Sequence, residues 1–143
     1  MESNEKVWVI VYRLLDGSLE LLALKPSPEP GRNTEYYVVT GGIEKDETLE
    51  MAARREVREE IGILPLKIID LKTSLKYKDK FSGQEFIEHC YAGEIDNKKI
   101  ILNEEHIDYK WLSPAEFTKN IWWDGDREKL KDVVIKLGKK LRN

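Results

Sequence analysis

The sequence predicts an α/β fold in which a mixed β-sheet is layered with helices. Strand-like patterns dominate the chain up to residue 112, a segment at 48–60 without Gly or Pro has helical periodicity, and the carboxyl end is again helical. With 143 residues, 41% of them hydrophobic, the chain can bury one core without disulfides or a structural metal. No repeat or long linker divides it, so we expect a single domain over 1–143.

The first predicted element is a β-hairpin. Residues 7–14 and 18–25 have strand-like composition and are separated by Asp16-Gly17. This dipeptide is favoured in the tight turns that join antiparallel strands, because both turn positions require a positive φ. We therefore expect the two strands to pair with each other.

A loop and a third strand are expected to follow the hairpin. Three prolines and a glycine within 26–34 predict the loop, and the aromatic and β-branched side chains of 35–39 predict a short strand. Thr40-Gly41-Gly42 is then expected to leave the strand in a loop. Since the side chains there are small or absent, the backbone can approach a metal or a phosphate closely.

The first predicted helix spans 48–60. Thr48 can cap its first turn, and Gly62 stands where a helix commonly ends. On a helical wheel the apolar side chains cover one broad side, and the basic side chains lie mainly on the other. The apolar side comprises Leu49, Ala52, Ala53, Val57 and Ile61.

Four further strands are predicted in the second half of the chain. Residues 65–79 and 84–95 form strand-like segments around a turn at 81–83, and 98–105 and 108–112 are shorter strand-like runs. These segments would supply most of the sheet. The middle of the chain is therefore expected to be rich in β-structure.

Two helices are predicted after the last strand. Ser113, Pro114 and Glu116 occupy the cap, first and third positions of a capping box, which predicts a short helix there. A last helix is expected from about Asp126, because apolar residues recur at helical spacing. These residues are Leu130, Val133, Val134, Leu137 and Leu141.

Composition limits the function classes. The net charge of −3 and the pI near 5.6 give no overall attraction to nucleic acid or to anionic membranes. No apolar stretch approaches the roughly 20 residues that span a bilayer. The single cysteine, Cys90, fits a reducing and therefore cytoplasmic environment. With only His89 and His106, a Cys/His zinc site is not expected, so carboxylates are the expected carriers of chemistry.

Three glutamates interrupt the apolar side of the first predicted helix. At about 100° per residue, Glu56 and Glu60 project near Leu49, and Glu59 lies at the edge of the apolar arc next to Ala52. Like charges at this spacing repel each other, more so when they are partly buried. One interpretation is a solvated surface network with neighbouring arginines. The other, favoured by the position on the apolar side, is a site for a divalent cation.

Residues 41–63, GGIEKDETLEMAARREVREEIGI, resemble the Nudix box, G-x5-E-x7-R-E-U-x-E-E-x-G-U, with U a bulky aliphatic residue. The matching positions are Gly41, Glu47, Arg55, Glu56, Val57, Glu59, Glu60, Gly62 and Ile63. Every fixed position is thus filled at the required spacing. The resemblance implies the family's α/β/α sandwich with a mixed sheet. It also implies hydrolysis of a nucleoside diphosphate linked to another group, by attack of water on phosphorus.

The resemblance implies roles for individual residues of the helix and the segment before it. Glu56, Glu59 and Glu60 would bind Mg²⁺ or Mn²⁺, with the carbonyl oxygen of Thr40 as a further ligand. Glu59 would be catalytic as well. Arg55 would belong to the catalytic machinery by holding a glutamate in orientation through a charge-assisted pair.

Further positions around the box are expected to support the site. Glu47 would brace the loop against the helix. Gly41 and Gly42 would let the backbone approach the substrate. Lys25 is a cation near the loop that could contact phosphates, and one of Tyr36 and Tyr37, with Tyr37 preferred, could stack on a base. The expected substrate contacts are therefore Lys25, Tyr37, Gly41 and Gly42.

Outside the box, the segment EHIDYKW at 105–111 resembles the E-H-x-x-Y-x-W signature of two Nudix branches. These are the dinucleoside-tetraphosphate hydrolases and the bacterial pyrophosphohydrolases acting on dATP or dihydroneopterin triphosphate. The second branch is closer in its local sequences. Glu105 would then be a late metal ligand or the general base, and His106 is interpreted as a structural hydrogen-bonding residue.

Four other residues raise separate questions. Asp46 stands where the family commonly has Gly, which leaves the conformation of that turn open. Arg32 is a second loop cation that could contact phosphates. Trp122 and Trp123 are interpreted as packing the last helix rather than lining a base pocket.

We predict from these observations a metal-dependent pyrophosphohydrolase acting on a triphosphate that resembles an NTP or a dNTP. The expected partner is a small nucleotide, with neither nucleic acid nor membrane, and the protein would be a monomer or a homodimer. Three alternatives remain. They are a dinucleoside tetraphosphate hydrolase, an RNA 5′-pyrophosphohydrolase, which the net charge does not favour, and a catalytically silent nucleotide-binding module.

Overall fold

The structure is a computed structural model that describes residues 4–30, 34–79, 82–123 and 127–142. Strands and helices within these ranges are, in chain order, β1 (Glu5–Leu15), β2 (Ser18–Pro26), β3 (Val39–Gly42), α1 (Leu49–Ile61), β4 (Lys67–Lys78), β5 (Glu85–Glu94), β6 (His106–Leu112), α2 (Pro114–Asn120) and α3 (Arg127–Leu141). The predicted order of a mixed sheet with interspersed helices is confirmed. None of the helices in these ranges is long and apolar enough to cross a membrane.

β1 is the central strand of a sheet with the order β4-β5-β1-β2-β6, and β3 also pairs with it. It runs parallel to β5 and antiparallel to β2 and β3. Trp8 illustrates the arrangement, since it lies opposite Cys90 on one side and Thr40 on the other. One parallel pair among antiparallel pairs makes the sheet mixed.

Alternate side chains of β1 enter different cores on the two faces of the sheet. On one face, Val7, Val9 and Val11 belong to a core that contains the apolar residues of α1. On the other face the core contains Trp8, Ile10 and Tyr12 together with the apolar residues of α2 and α3. All six of these β1 side chains are at most 1% exposed. Helices therefore cover both faces, which gives the predicted α/β/α sandwich.

The predicted β1–β2 hairpin is confirmed. Asp16 and Gly17 have φ values of 50° and 79°, and Leu15 lies opposite Ser18 across the turn. Two successive positive φ values define the tight turn whose twist suits antiparallel strands. The local sequence is therefore sufficient to form this turn.

The predicted caps of α1 are also confirmed. The side chain of Thr48 accepts a hydrogen bond from the Met51 N–H at 3.1 Å. Gly62 has a φ of 74°, and its N–H donates to the Arg58 carbonyl at 2.9 Å. Of the predicted apolar side, Leu49 is partly buried, and the fully buried members are Ala52, Ala53, Val57 and Ile61.

Two predicted strands are wrong. Residues 98–105 are irregular, because Ile101 donates its backbone N–H to the end of α1 rather than to a neighbouring strand. The strand expected at 35–39 is displaced toward the carboxyl end: Tyr37 forms an isolated bridge to Leu24, and β3 begins at Val39. β3 consequently includes both glycines that were expected in a loop, because they pair with β1.

The two carboxyl-terminal helices agree with the sequence where the structure describes them. Ser113 accepts from the Glu116 N–H at 3.2 Å, and Glu116 accepts from the Ser113 N–H at 3.2 Å, which completes the capping box. The expected first residue of the last helix, Asp126, lies outside the described residues, as does Phe81 of the predicted turn. Of the predicted apolar positions, Leu141 is partly buried, and the buried ones are Leu130, Val133, Val134 and Leu137.

Candidate active site

Arg55, midway along α1, lies at the centre of a network of carboxylates. Its guanidinium donates two hydrogen bonds to Glu47, from Nε at 2.8 Å and from Nη2 at 3.0 Å. It also donates to the Gly42 carbonyl at 2.8 Å, to Glu56 at 2.8 Å and to Glu59 at 3.3 Å. The hydrogen bonds with Arg55 lower the pKa of Glu47. The arginine thus joins the segment before α1 to the glutamates of the helix.

Glu60, in the last turn of α1, has the opposite environment. Its side chain is 3% exposed, and its Oε2 has no hydrogen-bond partner among the residues that the structure describes. Burial, and after it the neighbouring Glu56 carboxyl, raises the pKa of Glu60 well above its usual value. Burial also raises the pKa of Glu56, against the opposing hydrogen bond from Arg55. Among the described residues, the chain therefore buries more acid here than the neighbouring cations compensate.

The segment 95–105 runs past the carboxyl end of α1 and is fixed to it by backbone hydrogen bonds. The Ile101 N–H donates to the Ile61 carbonyl at 2.9 Å, and the Asn103 N–H donates to the Glu60 carbonyl at 3.4 Å. These bonds use carbonyls that have no partner inside the helix. They position the residues that follow, at the start of β6, next to Glu60.

Glu105 and His106 complete the acidic cluster. One possible ligand atom from each of Glu60, Glu105 and His106 lies within 4.8 Å of the others. His106 is buried, with Nε2 at 3.5 Å from Glu60 Oε1. Glu105 is exposed and accepts a hydrogen bond from the Asn103 amide at 3.4 Å. The cluster thus has a buried inner side and an open outer side.

These residues fit a divalent cation. Carboxylate oxygens are the preferred ligands of hard cations, and an imidazole nitrogen is an additional donor. The Glu60 oxygen without a hydrogen bond is a position where a cation would supply the missing partner. The same positive charge would favour ionisation of Glu56 and Glu60, which burial opposes. The cluster can therefore hold a metal ion.

Gly41 makes room for Glu56 beside β3. A Cβ built at Gly41 would overlap the carboxyl group of Glu56, whereas a Cβ at Gly42 would meet nothing within 4 Å. The close approach is therefore between the backbone of a strand and a side chain of α1. Only the first glycine of the pair is required for it.

A cavity of about 280 Å³ contains both the acidic cluster and aromatic side chains. Glu60, Glu105 and His106 line it, together with Tyr37 and Trp122. The two aromatic rings meet edge to face with centroids 5.3 Å apart. A cleft that combines acidic groups with flat rings suits a ligand with a polyphosphate and an aromatic base.

The structure separates the expected substrate contacts. Tyr37 lines the cavity, as does Thr40, the expected carbonyl ligand. Lys25 is not a lining residue: its Nζ donates to the Thr34 carbonyl at 3.3 Å and lies 5.4 Å from the centre of the Tyr36 ring. A local partner therefore holds Lys25 away from the cluster.

The two adjacent tryptophans have different environments. Trp123 packs edge to face against Trp8, with ring centroids 6.0 Å apart, which agrees with the expected packing role. Trp122 lines the cavity, so for this residue the prediction of packing alone is wrong. The other loop cation expected near phosphates, Arg32, lies outside the described residues.

Sequence reasoning assigns His106 only a structural role and does not select Glu88, although both line the cavity. His106 joins the acidic cluster only through tertiary contacts with α1. Glu88 leaves a signal in the sequence, because it shares strand parity with Cys90 and Ala92, which are buried. A charged residue at a core-facing strand position is unusual and could have identified it.

Asp46 adopts the left-handed conformation, with a φ of 64°. Asp is one of the few residues other than Gly that take up this conformation readily. The turn before Glu47 is therefore formed with Asp in the glycine position. Glu47 then accepts the Glu44 N–H at 3.0 Å and remains in place to pair with Arg55.

Comparison with known proteins agrees with this arrangement. The sequence profile of the NUDIX domain matches residues 5–133. The nucleoside triphosphatase NudI of Klebsiella pneumoniae is 29% identical over 119 residues, which cover 78% of this chain and 84% of that protein. In several further relatives with the same name, the match covers 64% of their length.

Two solved structures have the same fold. The binary complex of the Caenorhabditis elegans Ap4A hydrolase superposes with a TM-score of 0.78 at 21% identity, covering 96% of this chain and 97% of that one. The Escherichia coli dihydroneopterin triphosphate pyrophosphohydrolase superposes with a TM-score of 0.71 at 21% identity, covering 94% and 97%. The profile match extends over most of the chain and includes the Arg55 network and Glu60. The chain therefore belongs to the Nudix family of hydrolases, which act on the phosphoanhydride bonds of nucleotides.

Proposed function

We propose that this protein is a pyrophosphohydrolase that depends on Mg²⁺ or Mn²⁺ and cleaves a nucleoside triphosphate or a similar compound. Water would attack a phosphorus atom, and inorganic pyrophosphate or a nucleotide would be released. The observation that carries the proposal is the buried carboxyl of Glu60, whose Oε2 receives no hydrogen bond from the described residues and which faces the other acids of the cluster. Such a group is costly for a protein that never binds a cation.

Each residue of the site has a proposed task. Glu56, Glu59 and Glu60 would hold the metal together with the carbonyl of Thr40. A bound divalent cation neutralises phosphate charge and lowers the pKa of a water molecule. Arg55 positions Glu56 and Glu59 through its hydrogen bonds at 2.8 Å and 3.3 Å.

Two exposed carboxylates, Glu59 next to the cluster and Glu105 within it, are the candidates for taking a proton from the attacking water. Glu59 is next to the buried Glu60 in sequence, and Glu105 lines the cavity. Exposure suits this task, since the proton must be passed on to solvent after each turnover. We assign it to Glu105 when Glu59 is occupied as a metal ligand.

A triphosphate is supported as the substrate class by the relatives and by the cavity. The Klebsiella relative is named a nucleoside triphosphatase, and the Escherichia coli structure is that of a pyrophosphohydrolase of a triphosphate. The same cavity contains Tyr37 and Trp122, which could stack on a base. The proposed partner is accordingly a small nucleotide.

We also propose that the described residues form one domain that works in the cytoplasm as a monomer or a homodimer. The central position of β1 supports one domain, because this strand contacts both the early and the late strands. Cys90 is fully buried, and burial raises the pKa of its thiol to about 12. A thiol of this kind is unreactive and is compatible with a reducing compartment.

The test is release of phosphate and pyrophosphate in the presence of Mg²⁺ from a panel of substrates. The panel comprises the NTPs, the dNTPs, dihydroneopterin triphosphate, diadenosine tetraphosphate and ADP-ribose. We expect rapid turnover of at least one triphosphate and a loss of about 10²- to 10⁴-fold in Glu59→Gln, the usual effect of removing a positioned carboxylate. Glu50→Gln is the matched control, because Glu50 is exposed at the other end of α1.

The result that contradicts the proposal is Mg²⁺ binding without turnover of any compound in the panel. A preference for diadenosine tetraphosphate would retain the hydrolase but change its substrate class. Equal activities of Glu59→Gln and Glu50→Gln would retain hydrolysis and exclude the assigned role of Glu59.

A further inference from the structure

Glu88, in β5, is a buried carboxyl that faces two adjoining cavities. The residue is 8% exposed and lines both the main cavity and a second one of about 120 Å³. Within the part of the chain that the structure describes, its carboxyl forms no hydrogen bond and no ion pair. Glu88 is therefore a carboxyl on a buried residue that has no partner among the described residues and adjoins open space.

Lys6, a cation on the neighbouring strand, does not neutralise Glu88. Lys6 lies opposite Glu88 in the β1–β5 register, but its Nζ is placed 4.1 Å from the centre of the Phe86 ring. Burial raises the pKa of Glu88 to about 7, and the charge of Lys6 opposes this shift without removing it. The ionised form of Glu88 thus lowers the stability of the folded state. This cost indicates that the residue has a function, such as contact with a ligand.

Aromatic side chains surround the same space. Tyr37, Tyr77 and Trp122 line both cavities with Glu88. The phenol of Tyr37 is fixed by a hydrogen bond that it accepts from the Trp8 Nε1–H at 3.0 Å. A buried acceptor among flat rings is complementary to a flat heteroaromatic ring that carries N–H donors at its edge.

The chemistry of the carboxylate narrows the choice of base. Its two oxygens accept two parallel hydrogen bonds, as they do from the fork of an arginine. Guanine presents adjacent N1–H and 2-NH₂ donors on one edge. Adenine and cytosine present a donor beside an acceptor, and uracil and thymine present one donor between two acceptors. Only the guanine edge therefore satisfies both carboxylate oxygens.

We propose that Glu88 is a specificity-determining residue that accepts hydrogen bonds from the N1–H and 2-NH₂ groups of a guanine-type base. The inference rests on the proposed function, because the phosphates of such a nucleotide would lie at the acidic cluster of the same cavity. It adds a substrate class, a guanine nucleotide, that the Nudix box does not specify. The Tyr37, Tyr77 and Trp122 rings would enclose the base.

The first test compares binding of GMP and IMP, which differ only in the 2-amino group, with Mg²⁺ present. Binding is followed by the fluorescence change of the tryptophans, since Trp122 lines the cavity. We expect wild type to bind GMP about 10- to 100-fold more tightly than IMP, the effect of one hydrogen bond to a charged group. In Glu88→Gln this preference is expected to disappear, because the amide offers one acceptor and one donor.

Glu85→Gln is the matched control, an exposed glutamate at the start of the same strand. It should retain the wild-type preference. The second test measures kcat/KM for GTP and ITP in the same three proteins, and the ratio should follow the binding preference. Thermal unfolding of each variant verifies that it is folded.

Equal binding of GMP and IMP by wild type, or binding of neither, overturns the assignment of Glu88. The same is true of an unchanged GMP preference in Glu88→Gln. A GMP preference that depends on Glu88, without turnover of GTP or any other triphosphate, supports the base contact and rejects the hydrolase proposal. Turnover of other triphosphates, together with a GMP preference that Glu88→Gln leaves unchanged, supports the hydrolase proposal and rejects the base contact.

Discussion

Two neighbouring groups of carboxylates, one before α1 and one at its carboxyl end, have opposite electrostatics. At the first group, Glu47 accepts two hydrogen bonds from Arg55, from Nε and from Nη2, and its pKa is lowered. At the second, Glu60 is buried with an oxygen that receives no hydrogen bond from the part of the chain that the structure describes, and its pKa is raised. Glu56 lies between them and contacts both, since it accepts from Arg55 and adjoins Glu60.

The difference distinguishes a structural charge from a functional one. The Glu47–Arg55 pair contains its own counterion, so it stabilises the folded chain by itself. Glu60 has no ion pair with a lysine or arginine among the described residues, so ionisation of this buried group lowers the stability of the folded state unless a cation binds. A carboxylate of the first kind is expected to affect stability, and one of the second kind is expected to affect metal binding and turnover.

The largest effect is expected from Gly41→Ala, which displaces Glu56, the residue that contacts both groups. The new Cβ would overlap the Glu56 carboxyl, which must then leave its position beside Arg55. We expect kcat/KM to fall about 10³-fold, roughly 4 kcal/mol in activation free energy. Steady-state kinetics on the preferred triphosphate measures it. Stability should change by less than about 1 kcal/mol, because the end of a flexible side chain can move.

Gly42→Ala is the control, because a Cβ there meets nothing within 4 Å. It should retain activity within a few-fold of wild type. Equal losses in both variants would mean that the strand backbone, and not the position of Glu56, is responsible.

Arg55→Ala removes the counterion of the first group of carboxylates. It removes the partner of Glu47 and leaves nearly buried carboxylates unpaired, with side-chain exposures of 10% for Glu47 and 13% for Glu56. We expect the free energy of unfolding to decrease by about 3 kcal/mol, measured by urea denaturation.

Arg54→Ala provides the comparison on the same helix. Arg54 lies 3.9 Å from Glu50 in a pair whose side chains are 38% and 56% exposed. Exposed pairs of this kind contribute about 0–1 kcal/mol, so little stability should be lost. Similar losses for the two variants would refute the distinction between a buried network and a surface pair.

Mg²⁺ is expected to bind at the second group, which contains the buried carboxyl of Glu60. A free Mg²⁺ concentration of 100 times Kd should raise the free energy of unfolding of wild type by about 2.7 kcal/mol. In Glu60→Gln most of this gain should disappear, because a buried ligand has lost its charge. Urea denaturation with and without Mg²⁺ measures the difference, and an undiminished gain in the variant would place the cation elsewhere.

The two groups should also respond to pH in opposite directions without metal. Glu47 has a lowered pKa in the folded state, so its contribution is present above the unfolded pKa and is lost as pH falls through the folded pKa. Glu60 has a raised pKa, so its contribution is present below the unfolded pKa and is lost as pH rises through the folded pKa. Adding Mg²⁺ should reduce only the second dependence.

Glu88→Gln gives the smallest effect and a third case, a buried carboxyl outside the acidic cluster. Its pKa is raised from 4.5 to about 7, so the stability it contributes below the unfolded value is lost as pH rises through the folded value. A pKa raised from 4.5 to about 7 corresponds to about 3 kcal/mol at pH 8, and burying the Gln amide without a partner offsets about 1 kcal/mol, so the variant should be more stable than wild type by about 2 kcal/mol. Urea denaturation at pH 5 and pH 8 tests this. A gain that disappears with Mg²⁺ would assign Glu88 to the metal cluster instead.

Features with local causes could be predicted from the sequence. The Asp16-Gly17 turn, the Thr48 cap and the Ser113 capping box form within a few residues, so their composition is sufficient to determine them. Helical periodicity is also local, and it predicted Glu56 and Glu60 on the apolar side of α1.

Features with distant causes could not be predicted. Residues 98–105 have strand-like composition, but contact with the end of α1 determines their path. His106 joins Glu60 only because that path brings it there, across 46 positions of sequence separation. The sequence makes Lys25 a candidate phosphate contact, but its Nζ donates to the Thr34 carbonyl and the residue does not line the cavity. Each case depends on a tertiary contact that competes with local preference.

The attachment of residues 95–105 to the end of α1 has a dynamic consequence. Because Ile101 and Asn103 donate to carbonyls of Ile61 and Glu60, we expect the segment and the last helical turn to open together. The amides of Ile101 and Asn103 should therefore exchange hydrogen with the same opening free energy as the last turn of α1, as one cooperative unit. Thermal motion would then carry Glu60 and Glu105 in the same direction and preserve the spacing of the cluster.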